Sequence, residues 1–166
     1  MEWIELVEKV VIVPEQPTPR KRMFLSNIDL SLVVYQDSSS FFDPPSNQMC
    51  FSEICSKLYG ALRKMLVHYD FMAGQLVPSL EENNRFEIDC NDAGIVVAAA
   101  KTDRKLAEFG VITAPNPQLR ELVVFLLDDE DTDLKEKPLA SLQVHVLLSS
   151  FNLHNTSSFH IDVTNI

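Results

Sequence analysis

The chain has 166 residues, long enough for one domain that hides roughly 70% of the surface its unfolded form exposes. Its 46% hydrophobic and 23% charged residues are a globular composition, which argues against wholesale disorder and against a membrane protein. Twenty-four acidic against fourteen basic side chains give a formal net charge of −10, which repels a phosphate backbone and argues against nucleic acid as a partner. The stretch Met1 to Glu8 carries acids where a secretory signal needs a basic start, and no run approaches the ~20 apolar residues that span a bilayer. A cytoplasmic chain with no membrane partner is therefore expected.

Glu8 to Val13 is a β-branched run ended by Pro14, which predicts a strand, and Pro17-Thr18-Pro19 then enforces an irregular surface crossing. Leu30 to Tyr35 is a second apolar run, ended by Gln36-Asp37 and three serines. Phe41-Phe42 before Asp43-Pro44-Pro45 reads as an aromatic anchor beside a rigid turn. Ser52 is the candidate N-cap of a helix with Glu53 in its first turn. Ile54, Leu58, Ala61, Leu62, Met65 and Leu66 form one apolar stripe along it, with Arg63 and Lys64 off the stripe.

A polar turn, Glu81 to Asn84, precedes the alternating strand Phe86 to Cys90. Asn91 to Gly94 is turn chemistry and Ile95 to Ala100 reads as a buried strand, so the two strands are expected to form a hairpin. Lys105 to Phe109 predicts a short helix stopped by Gly110. Leu122 to Leu127 is apolar, and Asp128 to Asp131 reads as solvated surface. Cys50, Cys55 and Cys90 lack zinc-binding spacings and read as reduced structural thiols.

The composition changes at Gln143. From Val144 to Ile166 there is no Lys or Arg, one acid, Asp162, and three of the chain's four histidines.

Several separated segments resemble plant BAHD-type acyl-CoA-dependent acyltransferases. They are Val7 to Pro14 with Pro17-Thr18-Pro19, Leu25-Ser26-Asn27-Ile28-Asp29, Leu62 to Asp70 leading into Ala73-Gly74-Gln75-Leu76, and Arg85 to Asn91. They fall in the family's order over about residues 5 to 143, with Gln75 where the family usually has arginine.

The resemblance implies an α/β fold, a partial chloramphenicol-acetyltransferase-like N-terminal domain of mixed sheet and packed helices, incomplete. It implies a hydroxycinnamoyltransferase-like member of plant secondary metabolism. Residues 1–143 would be that partial domain and residues 144–166 a divergent tail. Because a valine codon begins with the GT of an intron donor, read-through of an unspliced intron after Gln143 is the expected origin of the tail. The implied activity moves an acyl group from acyl-CoA, a co-substrate with no permanently bound cofactor beside it, to an alcohol or amine acceptor.

Acyl transfer needs a base to take the acceptor's proton, and a neutral imidazole suits that near neutral pH. The family's H-x-x-x-D and D-F-G-W-G motifs do not occur here: His145 leads to Ser149, His154 to Ser158 and His160 to Thr164. His160, two residues before Asp162, is the weak candidate base, and an ordinary surface pair is the plainer reading. His145, His154, His160 and Asp162 match no familiar closed metal site, so no metal is expected.

The chain is therefore expected to be catalytically incomplete, a monomer or an aggregation-prone fragment. The alternative is a non-catalytic fragment or an interaction partner of a full-length relative. Asn155-Thr156-Ser157 is formally a glycosylation acceptor without a compartment to act in.

Overall fold

A computed structural model describes residues 4–31, 36–42, 49–111, 116, 119, 122, 137–148 and 157–165, with 36–37, 146–148 and 157–165 as backbone. In chain order these form strand β1 (Ile4–Ile12), β2 (Lys21–Phe24), helix α1 (Asn27–Ser31), β3 (Gln36–Phe42), α2 (Phe51–His68), a 3-10 turn (Asp70–Ala73) and β4 (Gln75–Pro78). Then follow β5 (Phe86–Cys90), β6 (Ile95–Lys105), a second 3-10 turn (Leu106–Phe109), β7 (Ala140–Leu148) and β8 (Ser157–Asn165). Two sheets with a helix packed on one of them are the expected α/β arrangement.

Five strands make a mixed sheet in the order β1-β6-β7-β8-β3, and three make an antiparallel sheet in the order β2-β5-β4. The β6–β7 pair is parallel. β7 passes through the Gln143–Val144 composition change without a break.

The expected hairpin between Phe86–Cys90 and Ile95–Ala100 does not form. β5 pairs with β2 and β4, whereas β6 pairs with β1 and β7. The turn between them has the expected chemistry, with left-handed Asp92 (φ 58) and Gly94 (φ 92). It carries the chain from one sheet to the other, because β5 is flanked by β4, across the Glu81–Asn84 turn, and by the distant β2, while β6 lies between β1 and β7.

The predicted helix exists, but its N-cap is Cys50, with helical residues beginning at Phe51. Glu53 reaches back to accept the Cys50 N–H at 2.8 Å, and its own N–H donates to the Cys50 carbonyl at 3.1 Å. These reciprocal bonds satisfy donors that the helix ladder cannot, and they place Ser52 inside the first turn.

Leu62 and Leu66 of the predicted stripe are buried, and Leu58 and Met65 pack against them, but Ala61 faces solvent. Cys55 and Tyr59 extend the covered face toward Ala99 and Val144. This helix covers one side of the larger sheet, packing on Ile12, Ile95, Val97 and Ala140. Fully burying an aliphatic side chain contributes about 1.5–3 kcal/mol, so α2 is the principal packing element of this face.

The other side of that sheet carries Ile4, Ala100, Phe109 and Leu122. The smaller sheet has its own core of Leu25, Leu76, Ile88, Cys90 and Leu139. The polar run Gln36 to Ser40, read as the end of an apolar stretch, is strand β3, paired along its length with β8. Residues 43–48 and 123–136, which hold the rigid turn and the acidic run, lie outside the described residues.

Candidate functional site

The motif-like residues of the first half converge on β5. Its alternation sends Phe86, Ile88 and Cys90 toward the smaller core, which leaves Arg85, Glu87, Asp89 and Asn91 as the polar series.

Between them these hold three other segments, Arg20–Arg22, Leu25–Asn27 and Gln75–Ser79. Arg85 donates through Nη2 to the Leu25 carbonyl at 2.7 Å and through Nη1 to Asn27 Oδ1 at 2.8 Å, with its guanidinium 4.7 Å from the Phe24 ring centroid. Glu87, buried, accepts from Ser79 Oγ at 2.6 Å and lies 3.5 Å from Arg22 Nη1. Asp89 faces Arg20 at 3.4 Å. Asn91 donates to Gln75 Oε1 at 2.8 Å, so a neutral amide pair stands where the family's arginine would be.

The segment captured by Arg85 is closed on itself. Ser26 N–H donates to Asp29 Oδ2 at 2.8 Å, and Asp29 N–H donates to Ser26 Oγ at 3.3 Å. The Ser26 contacts hold the Asp29 carboxyl below its ordinary value, the side-chain bond more than the backbone one.

Gly74 is required by proximity. A Cβ there would stand 2.6 Å from the Asp89 carbonyl oxygen and 2.8 Å from Ile88 Cγ2. Asp70, buried beside it in the chain, receives Lys21 Nζ at 2.7 Å, and that bond raises the Lys21 ammonium above its ordinary value. These residues form scaffold.

β7 holds the other polar feature, a buried series at alternate positions, Ser141, Gln143 and His145, beside Ala98 and Ala100 of β6. Gln143 Nε2 donates to the Leu122 carbonyl at 2.6 Å and to His145 Nε2. An imidazole that accepts through Nε2 is neutral, with its proton on Nδ1. His145 has no exposed surface, so a substrate in solvent does not reach it.

The sequence contained a signal for this feature. Polar residues alternate with Leu142 and Val144, a pattern that usually marks an exposed face. Here it is buried, with the Leu122 carbonyl accepting from Gln143.

His160, the weak candidate base, stands in β8 at the register position opposite His145 on one side and Phe41 on the other. Asp162 stands opposite Gln143 and Ser39. His154 lies outside the described residues. His68 ends α2 and is exposed. Among the described residues no three His, Cys, Asp or Glu side chains gather as metal ligands, and no helix is long and apolar enough to cross a membrane. The three cysteines are free thiols, Cys50 exposed and Cys55 and Cys90 buried. Burial is the main cause that raises the latter two above the ordinary thiol value.

The two sheets and their covering helix define the class, an α/β domain. The crystal structure of vinorine synthase matches with a TM-score of 0.66 at 18% identity, over 98% of this chain and 37% of that one. A family model described as the Transferase family matches residues 3–149, and the chain belongs to that family, the BAHD acyltransferases. The hydroxycinnamoyltransferase of Narcissus pseudonarcissus is 34% identical over 142 residues, 85% of this chain and 31% of that protein. Acyltransferase GLAUCE of Arabidopsis thaliana is 33% identical over the same shares, and the shikimate O-hydroxycinnamoyltransferase of Nicotiana tabacum 34% identical over 72% of this chain and 27% of its own. The chain thus spans about a third of the length of these relatives.

Proposed function

We propose that this chain forms the front framework of an acyltransferase that moves a hydroxycinnamoyl or similarly bulky acyl group from acyl-CoA to an alcohol or amine in the cytoplasm. The 166 residues do not by themselves supply the base for that transfer. One observation carries the second half of the reading. His145 is fully buried and its Nε2 is occupied by the Gln143 amide, so it cannot collect a proton from an acceptor. His160 lacks the four-residue spacing to an aspartate that the family's base has.

The test is thiol release from a hydroxycinnamoyl-CoA by the purified chain, with shikimate or a simple amine as acceptor. A rate equal to buffer is expected. Turnover that disappears in His160→Ala would overturn the reading.

A second reading, pairing with a longer relative, rests on β1. It is an edge strand of the larger sheet, with Leu6, Val7 and Val11 exposed, and such edges accept further strands. Co-elution of the chain with a full-length hydroxycinnamoyltransferase, lost on Val11→Lys, is the expected mark of that reading; separate elution excludes it.

A further inference from the structure

Thr18-Pro19 is the one Ser-Pro or Thr-Pro pair in the 166 residues, and it continues as Arg20-Lys21. It lies in the passage that takes the chain from β1 in the larger sheet to β2 in the smaller one. Residues 13–20 form no strand or helix, and Gln16, Pro17, Pro19 and Arg20 are exposed with Thr18 half-buried among them. Pro19 excludes helical backbone at Thr18, and both prolines have a fixed φ. The start of the passage is tied to α2, where the Glu15 N–H donates to the Arg63 carbonyl at 3.0 Å.

Thr18 is fastened to a second passage between the sheets. Its Oγ1 donates to Asp92 Oδ1 at 2.6 Å, and its backbone N–H donates to Asp92 Oδ2 at 3.0 Å. Asp92 stands in the turn between β5 and β6, in the left-handed region at φ 58. The two bonds clasp one passage to the other.

We propose that Thr18 is a phosphorylation site for a proline-directed protein kinase, and that the modification opens the clasp on Asp92. This does not rest on the acyl-transfer reading.

Such a kinase takes its acceptor in extended backbone, and proline at the next position presents a fixed φ and no N–H. Lys21, third after the acceptor and with its side chain 51% exposed beside Asp70, supplies a cation for an acidic subsite. Thr18 Oγ1 gives its proton to the kinase's base and attacks the γ-phosphorus of ATP. The Oγ1–phosphorus bond forms, the bond from that phosphorus to the β–γ bridging oxygen breaks, and ADP leaves. The esterified oxygen has no proton left to donate. A group of about −1.5 to −2 charge then faces the Asp92 carboxylate, and like charges part. Arg20, 3.4 Å from Asp89 with its side chain 75% exposed, is the cation at hand to turn toward the phosphate and hold the passage open.

Incubation of the full chain with a cyclin-dependent kinase, ATP and magnesium, read by intact-mass and fragment-ion spectrometry, tests the site. A synthetic peptide of residues 13–23 runs beside it. One phosphate on Thr18 is expected in both, and none in Thr18→Val or in Pro19→Ala, which keeps the hydroxyl. Absence of phosphate from the folded chain, with or without modification of the peptide, or equal incorporation in Pro19→Ala, overturns the site. The modified chain is expected to melt roughly 3–12 °C below the unmodified one. In Asp92→Asn, whose amide accepts from the free hydroxyl and donates to the phosphate, the fall is expected to shrink. An unchanged melting temperature on modification, or an equal fall in Asp92→Asn, overturns the opening of the clasp.

Discussion

Replacing Arg85 with methionine keeps most of the stem volume and removes the guanidinium. The Leu25 carbonyl, which belongs to a buried residue, loses a charged donor at 2.7 Å; such a bond contributes about 1.5–3 kcal/mol. The Asn27 bond is exposed and water replaces it, so its loss costs about 0.5 kcal/mol. The face of Phe24, itself largely exposed, loses a cation at 4.7 Å, worth about 0.5 kcal/mol. The expected loss is therefore about 2.5–4 kcal/mol, which for a chain of this length lowers the melting temperature by roughly 5–15 °C. Urea unfolding followed by far-ultraviolet circular dichroism measures it. Arg85→Lys should recover only part, because a lysine ammonium cannot reach the two acceptors as a planar fork does. An Arg85→Met chain within about 0.5 kcal/mol of wild type would refute the claim that this side chain fastens the Leu25–Asp29 segment.

The remaining predictions use other parts of the scaffold. Gly74→Ala forces a Cβ to 2.6 Å from the Asp89 carbonyl and is expected to cost about 1–3 kcal/mol. Gly60→Ala, in α2 with nothing within 4 Å of the added atom, should instead stabilise by about 0.5–1 kcal/mol; equal effects in urea melts would contradict both. A disulfide-exchange reagent should react quickly with one thiol of the native chain, Cys50, and with Cys55 and Cys90 only on unfolding; three fast thiols would count against the described burial. Asp29 and Glu53 have folded-state values below their ordinary ones, through the Ser26 bonds and the Cys50 backbone bond first. Their contribution is complete above the unfolded carboxyl values of about 4 and is lost as pH falls through the folded values. Melting temperatures of Asp29→Asn and Glu53→Gln should therefore fall less steeply than wild type between about pH 5 and about pH 2, and identical slopes would exclude the assignment.

What could be read from the residues, and what could not, divides along the range of the interactions. β1, α2, β5, β6 and the turn stopped by Gly110 follow from local pattern, because periodicity and turn chemistry act within a few residues. The partners of β5 do not: the local turn at Asn91–Gly94 is correct for a hairpin, yet Lys21–Phe24 and Gln75–Pro78 claim both edges of the strand. β3 was hidden by its own composition, since a Gln-Asp-Ser-Ser-Ser run has low strand preference and is a strand through pairing with β8. The helix start was shifted by two residues because a serine usually caps and here a Cys50 backbone N–H held by Glu53 takes that place. The Gln143–His145 pair was invisible because alternate polar residues read as solvent-facing until their burial is known.

The residues that carry the family resemblance are bonded within the chain, and β5 shows how. Arg85-Phe86-Glu87-Ile88-Asp89-Cys90-Asn91 is two interleaved sets on one strand. Phe86, Ile88 and Cys90 belong to the core of the smaller sheet, while Arg85, Glu87, Asp89 and Asn91 fasten three other stretches of chain. A side chain already committed to such a bond is a poor proton acceptor for a passing substrate, because freeing it leaves its partner unsatisfied. The same holds for His145, whose acceptor nitrogen serves Gln143. The features that make the chain recognisable are thus spent on holding it together.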